Sequence, residues 1–294
     1  MNAAIETRGL GKHYGRVAAL ADLSLRVETG EVFGFLGPNG AGKTTTIRLL
    51  LGLLRPGTGS ASVLGRPVRP GSAGWRADIG YLPGELALWP ELTGGETLDH
   101  LARLAHARST RRAELLERLA FDPADLGRRV STYSDGMKQK LGIVQALETE
   151  PRLLLLDEPT KGLDPLVQQS FYALLAEARI RGTTVFFSSH VLTEVERVCD
   201  RVAMLRAGRL VALESVEAMR RAQRRRVTIA LAAGADAGPL ARFGSVTTQS
   251  GGRVELLVAA RDVPELVVHL ATIGFTDVTI EAPSLEDAFL ERYR

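Results

Sequence analysis

The sequence predicts an α/β fold: a mixed, mainly parallel sheet core with an inserted helical subdomain, followed by a small α+β domain. Three observations predict it. From residue 5 to about 215, strand-like and helix-like segments alternate through Gly-rich connections, the order expected when helices cover a parallel sheet. The runs Leu153-Leu154-Leu155-Leu156 and Thr184-Val185-Phe186-Phe187 are apolar without interruption, as central strands covered on both faces are. Composition then shifts at Arg220-Arg221-Ala222-Gln223-Arg224-Arg225-Arg226, which marks a boundary.

The elements follow in order. The stretch 20–35 opens with alternating Leu23, Leu25 and Val27, the pattern of a half-solvated antiparallel strand. Residues 31–36 read as a strand and 44–51 as a helix. Helical spacing runs over 96–119 and 137–147, a helix-rich stretch that places the inserted subdomain at about 85–150 within a first domain of residues 1–219. The arginine-rich segment 220–226 reads as a solvated linker, with contact to anionic lipid or to a partner's acidic surface as the other reading. Beyond it, short strands at 227–231, 253–258 and 277–281 and one amphipathic helix form a module over 227–294. The helix aligns Val263, Leu266, Val267, Leu270 and Ile273 on one face. Ser284 and Asp287 have the spacing of a further helix start.

Composition excludes several classes. In 294 residues, 45% are hydrophobic and 24% charged, so the chain is neither disordered nor collagen-like. Lysine and arginine number 37 against 34 acidic residues, a net +3 too small to indicate nucleic acid. Cys199 is the single cysteine, so no internal disulfide forms and a reducing compartment fits best. The five histidines lack zinc-ligand spacing with it. No apolar run reaches the roughly 18 residues a membrane span needs, and Glu6 and Arg8 stand where a secretory leader requires an apolar centre. Any membrane role therefore has to come through a partner.

The chemistry begins at Gly37-Pro38-Asn39-Gly40-Ala41-Gly42-Lys43-Thr44, a G-x-x-x-x-G-K-[ST] phosphate loop between a strand and a helix, with Thr45 next to it as a further nucleotide-binding candidate. Its backbone N–H groups and the helix N-terminus face an anion, Lys43 adds a full charge, and the Thr44 hydroxyl is placed to ligate Mg²⁺. Asp157 and Glu158 end the four-leucine strand, at the carboxyl edge where parallel sheets bind ligands. Asp157 suits Mg²⁺, and Glu158 suits orientation or deprotonation of a water.

With these motifs the chain resembles the ATP-binding cassette of ABC transporters over residues 3 to about 215, which implies the fold of that P-loop NTPase family and ATP hydrolysis. By this resemblance, Tyr14 matches the aromatic that stacks on adenine. Ser134 and Gly136, in Tyr133-Ser134-Asp135-Gly136-Met137, match the signature segment 23 residues before Asp157. Ser134 also reads as the N-cap of the following helix. Asp164, in Gly162-Leu163-Asp164, matches the loop that crosses the dimer interface, and His190 the histidine that contacts the γ-phosphate. The family's site closes only when two cassettes meet head to tail, so a second copy or a similar subunit is implied.

Two positions depart from the pattern. Gly84 replaces the glutamine that touches Mg²⁺ and the lytic water, with Glu85 as a stand-in metal ligand. Asp135 replaces a glycine, and its carboxylate near a γ-phosphate repels. The ending from Glu281 to Leu290 resembles the extension of bacterial drug-export ATPases, which implies an ABC-2 permease encoded separately, a place on the cytoplasmic face of the membrane, and a regulatory or dimer-stabilising role for the module. The competing readings are a soluble, non-transport cassette ATPase and a weakly active nucleotide-dependent binding module.

Overall fold

A computed structural model describes residues 3–69, 71, 74–105, 111–222, 224–232, 234–250 and 252–281. They fall into two compact units that divide between residues 214 and 215. In chain order the first unit holds β1 (Ala3–Tyr14), β2 (Val17–Glu28), β3 (Val32–Leu36), α1 (Lys43–Leu50), β4 (Thr58–Val63), β5 (Arg66–Pro67) and β6 (Ile79–Leu82). The helices α2 (Gly94–Leu104), α3 (Arg112–Arg118) and α4 (Asp135–Leu147) come next. Then follow β7 (Leu153–Asp157), α5 (Pro165–Ile180), β8 (Thr184–Ser189), α6 (Leu192–Val198), β9 (Arg201–Arg206) and β10 (Arg209–Ser215).

The main sheet has the order β10-β9-β3-β8-β7-β6, with β9, β3, β8, β7 and β6 parallel. Every residue of β3, β7 and β8 is buried, because apolar runs without a polar face need cover on both sides. A second sheet, β2-β1-β4-β5, is antiparallel. The stretch 20–35 divides between the two. Leu23, Leu25 and Val27 point into the core from β2 while Ser24 and Arg26 face solvent. A turn at Gly30, φ 83°, then starts β3 in the other sheet. The core of this unit joins Leu23, Leu25 and Val27 to Phe33, Phe35, Ile47, Leu155 and Phe186.

Helical spacing over 96–119 resolves into α2 and α3 rather than one helix. α2 starts at a capping box: the Glu96 N–H donates to Thr93 Oγ1 at 3.2 Å and the Thr93 N–H to Glu96 Oε2 at 2.8 Å. α3 is fixed to α4 by Arg112, which donates to the buried Glu148 at 2.8 Å. A buried carboxylate needs such a partner.

The second unit contains α7 (Val216–Ala222), β11 (Arg224–Leu231), β12 (Gly244–Ser250), β13 (Arg253–Ala259), α8 (Val263–Ile273) and β14 (Phe275–Glu281). Its antiparallel sheet runs β12-β13-β11-β14. Two readings change here. The arginine-rich segment ends α7 and begins β11 instead of forming a linker, since Arg224, Arg225 and Arg226 pair with Ala259, Val258 and Leu257. On α8, Leu266 and Leu270 are buried with Val263 and Ile273 against them, but Val267 is 41% exposed. One apolar stripe covers this small sheet, and Val267 lies outside it. The helix start read at Ser284 lies outside the described residues.

Candidate active site

The phosphate loop joins the buried end of β3 to α1, and close backbone approach sets Gly37 and Gly42. Gly42 has φ 107°, and a Cβ there would lie 2.4 Å from the Ala19 carbonyl oxygen. A side chain is excluded twice over, by conformation and by space. Pro38, Asn39 and Gly40 are exposed, and Gly37 and Ala41 are buried. Thr44 and Thr45 are half-buried.

Lys43 is almost fully buried and holds three oxygens. Its ammonium donates to Gly37 O at 2.6 Å and Pro38 O at 3.3 Å, and pairs with Glu158 Oε1 at 3.1 Å. Asp157, at the end of β7, is 1% exposed and accepts from Thr44 Oγ1 at 2.7 Å and Ser188 Oγ at 2.6 Å. The carboxylate adjacent to the loop is thus held by hydroxyls, with no cation paired to it among the described contacts. Glu158 takes φ 51°, a left-handed conformation that costs about 1–2 kcal/mol for a residue with a Cβ. From there its Oε2 lies 2.7 Å from His190 Nδ1. Five residues singled out from sequence, Lys43, Thr44, Asp157, Glu158 and His190, therefore form one connected cluster at the carboxyl edge of the sheet.

Residues 20–161 match the family model described as ABC transporter. YhcH of Bacillus subtilis (strain 168), an uncharacterized ABC transporter ATP-binding protein, is 33% identical over 294 residues, 99% of this chain and 96% of that one. The chain belongs to the ABC transporter ATP-binding family. The Nod factor export ATP-binding protein I of Rhizobium etli is 40% identical over 213 residues, 71% of this chain and 67% of its own length. A solved ATP-binding subunit of an ABC transporter is 34% identical and superposes with a TM-score of 0.68, covering 74% of this chain and 92% of that one. The architecture is that of the ABC cassette, and the chain is an ATPase of that family.

The other residues of this ABC cassette stand apart from the cluster. Ser134 caps α4, its Oγ accepting from the Met137 N–H at 3.2 Å. A Cβ on Gly136 would lie 2.8 Å from Gly162 O, so the signature segment packs against the 162–164 loop. Asp164 caps α5, its Oδ1 accepting from the Val167 and Leu166 N–H groups at 3.0 and 3.1 Å. Those bonds hold its carboxyl below the usual carboxylate range. Asp135 is 97% exposed, with Lys138 at 3.5 Å. Tyr14 is 48% exposed, and the Lys12 ammonium lies 5.6 Å from its ring centre.

Glu85 is exposed and makes no hydrogen bond or ion pair with the cluster among the described contacts. The residue against Asp157 is Gly84: a Cβ there would meet Asp157 Cγ and Oδ2 at 3.3 Å. Two partners escaped sequence reading. Ser188 precedes the histidine by two and reads as part of an apolar strand. Gln139, buried on α4, donates to Pro159 O at 2.7 Å, which ties the helical subdomain to the loop just beyond Glu158.

Proposed function

We propose that the chain is the ATP-hydrolysing subunit of a bacterial exporter. In this reading two copies, or one copy and a similar subunit, close head to tail around two ATP–Mg²⁺. They drive a separate ABC-2 type permease from the cytoplasmic face of the membrane. The observation that carries it is the cluster of Lys43, Thr44, Asp157, Glu158 and His190, and the name of the Nod factor export relative supports the direction of transport. No helix among the described residues is long and apolar enough to cross a membrane, and in this reading the permease supplies the pathway. The second unit would add dimer contacts or tune activity.

The donor set at the loop fits Mg²⁺. Thr44 and Asp157 offer oxygen only, as a hard cation prefers, and no group of three or more His, Cys, Asp or Glu among the described residues forms a closed metal cage. Mg²⁺ in such sites is completed by phosphate and water oxygens. When bound it would neutralise charge developing on the transferred phosphoryl group. Lys43 must exchange its three internal oxygens for phosphate oxygens when ATP enters. That exchange releases Glu158 Oε1 and leaves the carboxylate free to accept a proton from water, while His190 faces the γ-phosphate. Ser134 and Gly136 would complete the partner's site, and Tyr14 would stack on adenine.

The test is a pair of variants in ATP titration, turnover and sedimentation. Lys43→Ala should lose ATP affinity at least tenfold. Glu158→Gln should bind ATP normally, slow turnover about 10²–10⁴-fold as expected for loss of a general base, and sediment as an ATP-dependent dimer. Normal turnover in Glu158→Gln would remove the base from this position.

A further inference from the structure

One carboxylate outside the phosphate cluster ties together the two loops that carry Glu158 and His190. Glu194 lies on α6, four residues after His190. Its Oε1 accepts from Thr160 Oγ1 at 2.6 Å, and its Oε2 accepts from Ser189 Oγ at 2.7 Å. Thr160 is two residues past Glu158, and Ser189 is the residue before His190. Both hydroxyl residues are buried. Ser189 Oγ in turn accepts from the Val191 N–H at 2.9 Å, so the backbone on either side of His190 is held through one hydroxyl. Tyr172 on α5 also faces Glu194: burial first, and then the charge and hydrogen bonding of Glu194, push its phenol up to about 12.

We propose that Glu194 is a positioning residue for hydrolysis, which holds the His190 loop in register with the loop that follows Glu158. The His190 ring is half exposed, and its one described side-chain bond runs to Glu158 at 2.7 Å. Nothing on the ring itself fixes where that bond sits. The backbone on either side must do so, and the two hydroxyls that meet on Glu194 lie one residue before His190 and two after Glu158. A carboxylate suits the task because it offers a separate oxygen to each hydroxyl, whereas an amide has one accepting oxygen. Buried hydrogen-bonded networks of this kind specify one geometry when every donor is satisfied. Glu194 touches no phosphate position in this scheme and acts through His190 and Glu158. The inference rests on the roles given to those two residues above.

The experiment measures kcat and KM for ATP, with separate nucleotide titrations, in the full chain carrying Glu194→Ala, Glu194→Gln, Thr160→Val, His190→Ala and the Glu194→Ala/His190→Ala double substitution. Misplacement of a catalytic group by about 1 Å costs up to about 100-fold. Glu194→Ala should therefore lower kcat about 10- to 100-fold, with ATP affinity within twofold of wild type. Glu194→Gln and Thr160→Val keep most of the packing and should fall between, which separates loss of positioning from loss of folding. In the His190→Ala background Glu194→Ala should cost less than about threefold more, because residues that act through one another are not additive. Wild-type kcat in Glu194→Ala beside an impaired His190→Ala would overturn this inference alone, as would equal losses in both backgrounds. Wild-type turnover in His190→Ala would overturn it together with the role of His190.

Discussion

Asp135 is the residue whose chemistry conflicts most with its place. It begins α4 beside Ser134 and Gly136, where the proposed head-to-tail dimer brings a partner's γ-phosphate. A carboxylate at a helix N-terminus is favoured by the dipole, but two anions brought together across an interface repel. Its exposure and the ammonium of Lys138 at 3.5 Å both weaken that repulsion, since exposed charges interact through water. Asp135→Gly should therefore strengthen ATP-dependent association by about two- to fivefold, read by sedimentation of the Glu158→Gln chain with ATP. No change would mean that the carboxylate points away from the interface. At this scale the residues legible in sequence were those whose neighbours define them: Gly37 to Thr44, because loop, strand and helix are contiguous, and Asp157 with Glu158, because they end an apolar strand. Ser188 and Gln139 were hidden. Their partners lie 31 and 20 residues away along the chain, and only the fold brings them together.

Among the elements, α2 shows local sequence chemistry acting without help from the site. Its capping box satisfies the Thr93 and Glu96 N–H groups reciprocally, which frees the helix start of unpaired donors. Thr93→Ala should cost about 1 kcal/mol in urea unfolding at neutral pH. The Glu96 carboxyl is held below its ordinary 4.5, first by the Thr93 N–H and then by the Thr93 hydroxyl. A depressed carboxyl contributes fully above its unfolded value and loses that contribution as pH falls through the folded one. The stability gap between wild type and Thr93→Ala should therefore narrow below pH 4.5. An equal gap at pH 7 and pH 3 would show that the Thr93 hydroxyl adds nothing to the hold on the Glu96 carboxylate, since the N–H at position 93 survives the substitution. The elements predicted well were those with one clean period, such as β2 with Leu23, Leu25 and Val27. β12, with the sequence Gly244-Ser245-Val246-Thr247-Thr248-Gln249-Ser250, was missed because it carries one aliphatic residue and pairs through backbone with β13. Val267 was misplaced because α8 covers its sheet with a stripe narrower than the apolar face of its sequence.

At the scale of the whole molecule, the proposed division of work between the two units follows where the assigned residues lie. Each described residue of the site, from Tyr14 to His190, lies before residue 215, and so does the cluster of Phe33, Phe35, Ile47 and Phe186 that backs the phosphate loop. The second unit has a separate core of Val227, Ile229, Leu256, Leu266 and Leu270. A core of this kind supports folding of its own sheet, and none of the residues assigned to the ATP site belongs to it. A chain ending at Glu214 should therefore remain folded and bind ATP within about twofold of the full-length affinity, while the lifetime of the ATP-dependent dimer or its coupling to the permease falls. Circular dichroism checks the fold, nucleotide titration the affinity, and sedimentation the dimer. A tenfold loss of ATP affinity in a folded truncated chain is about 1.4 kcal/mol. That loss could not come from a missing phosphate ligand, because residues 215–294 supply none of those assigned here. It would mean that the second unit holds the phosphate loop or the Tyr14 strand in its binding geometry, and the division of labour between the units would fail.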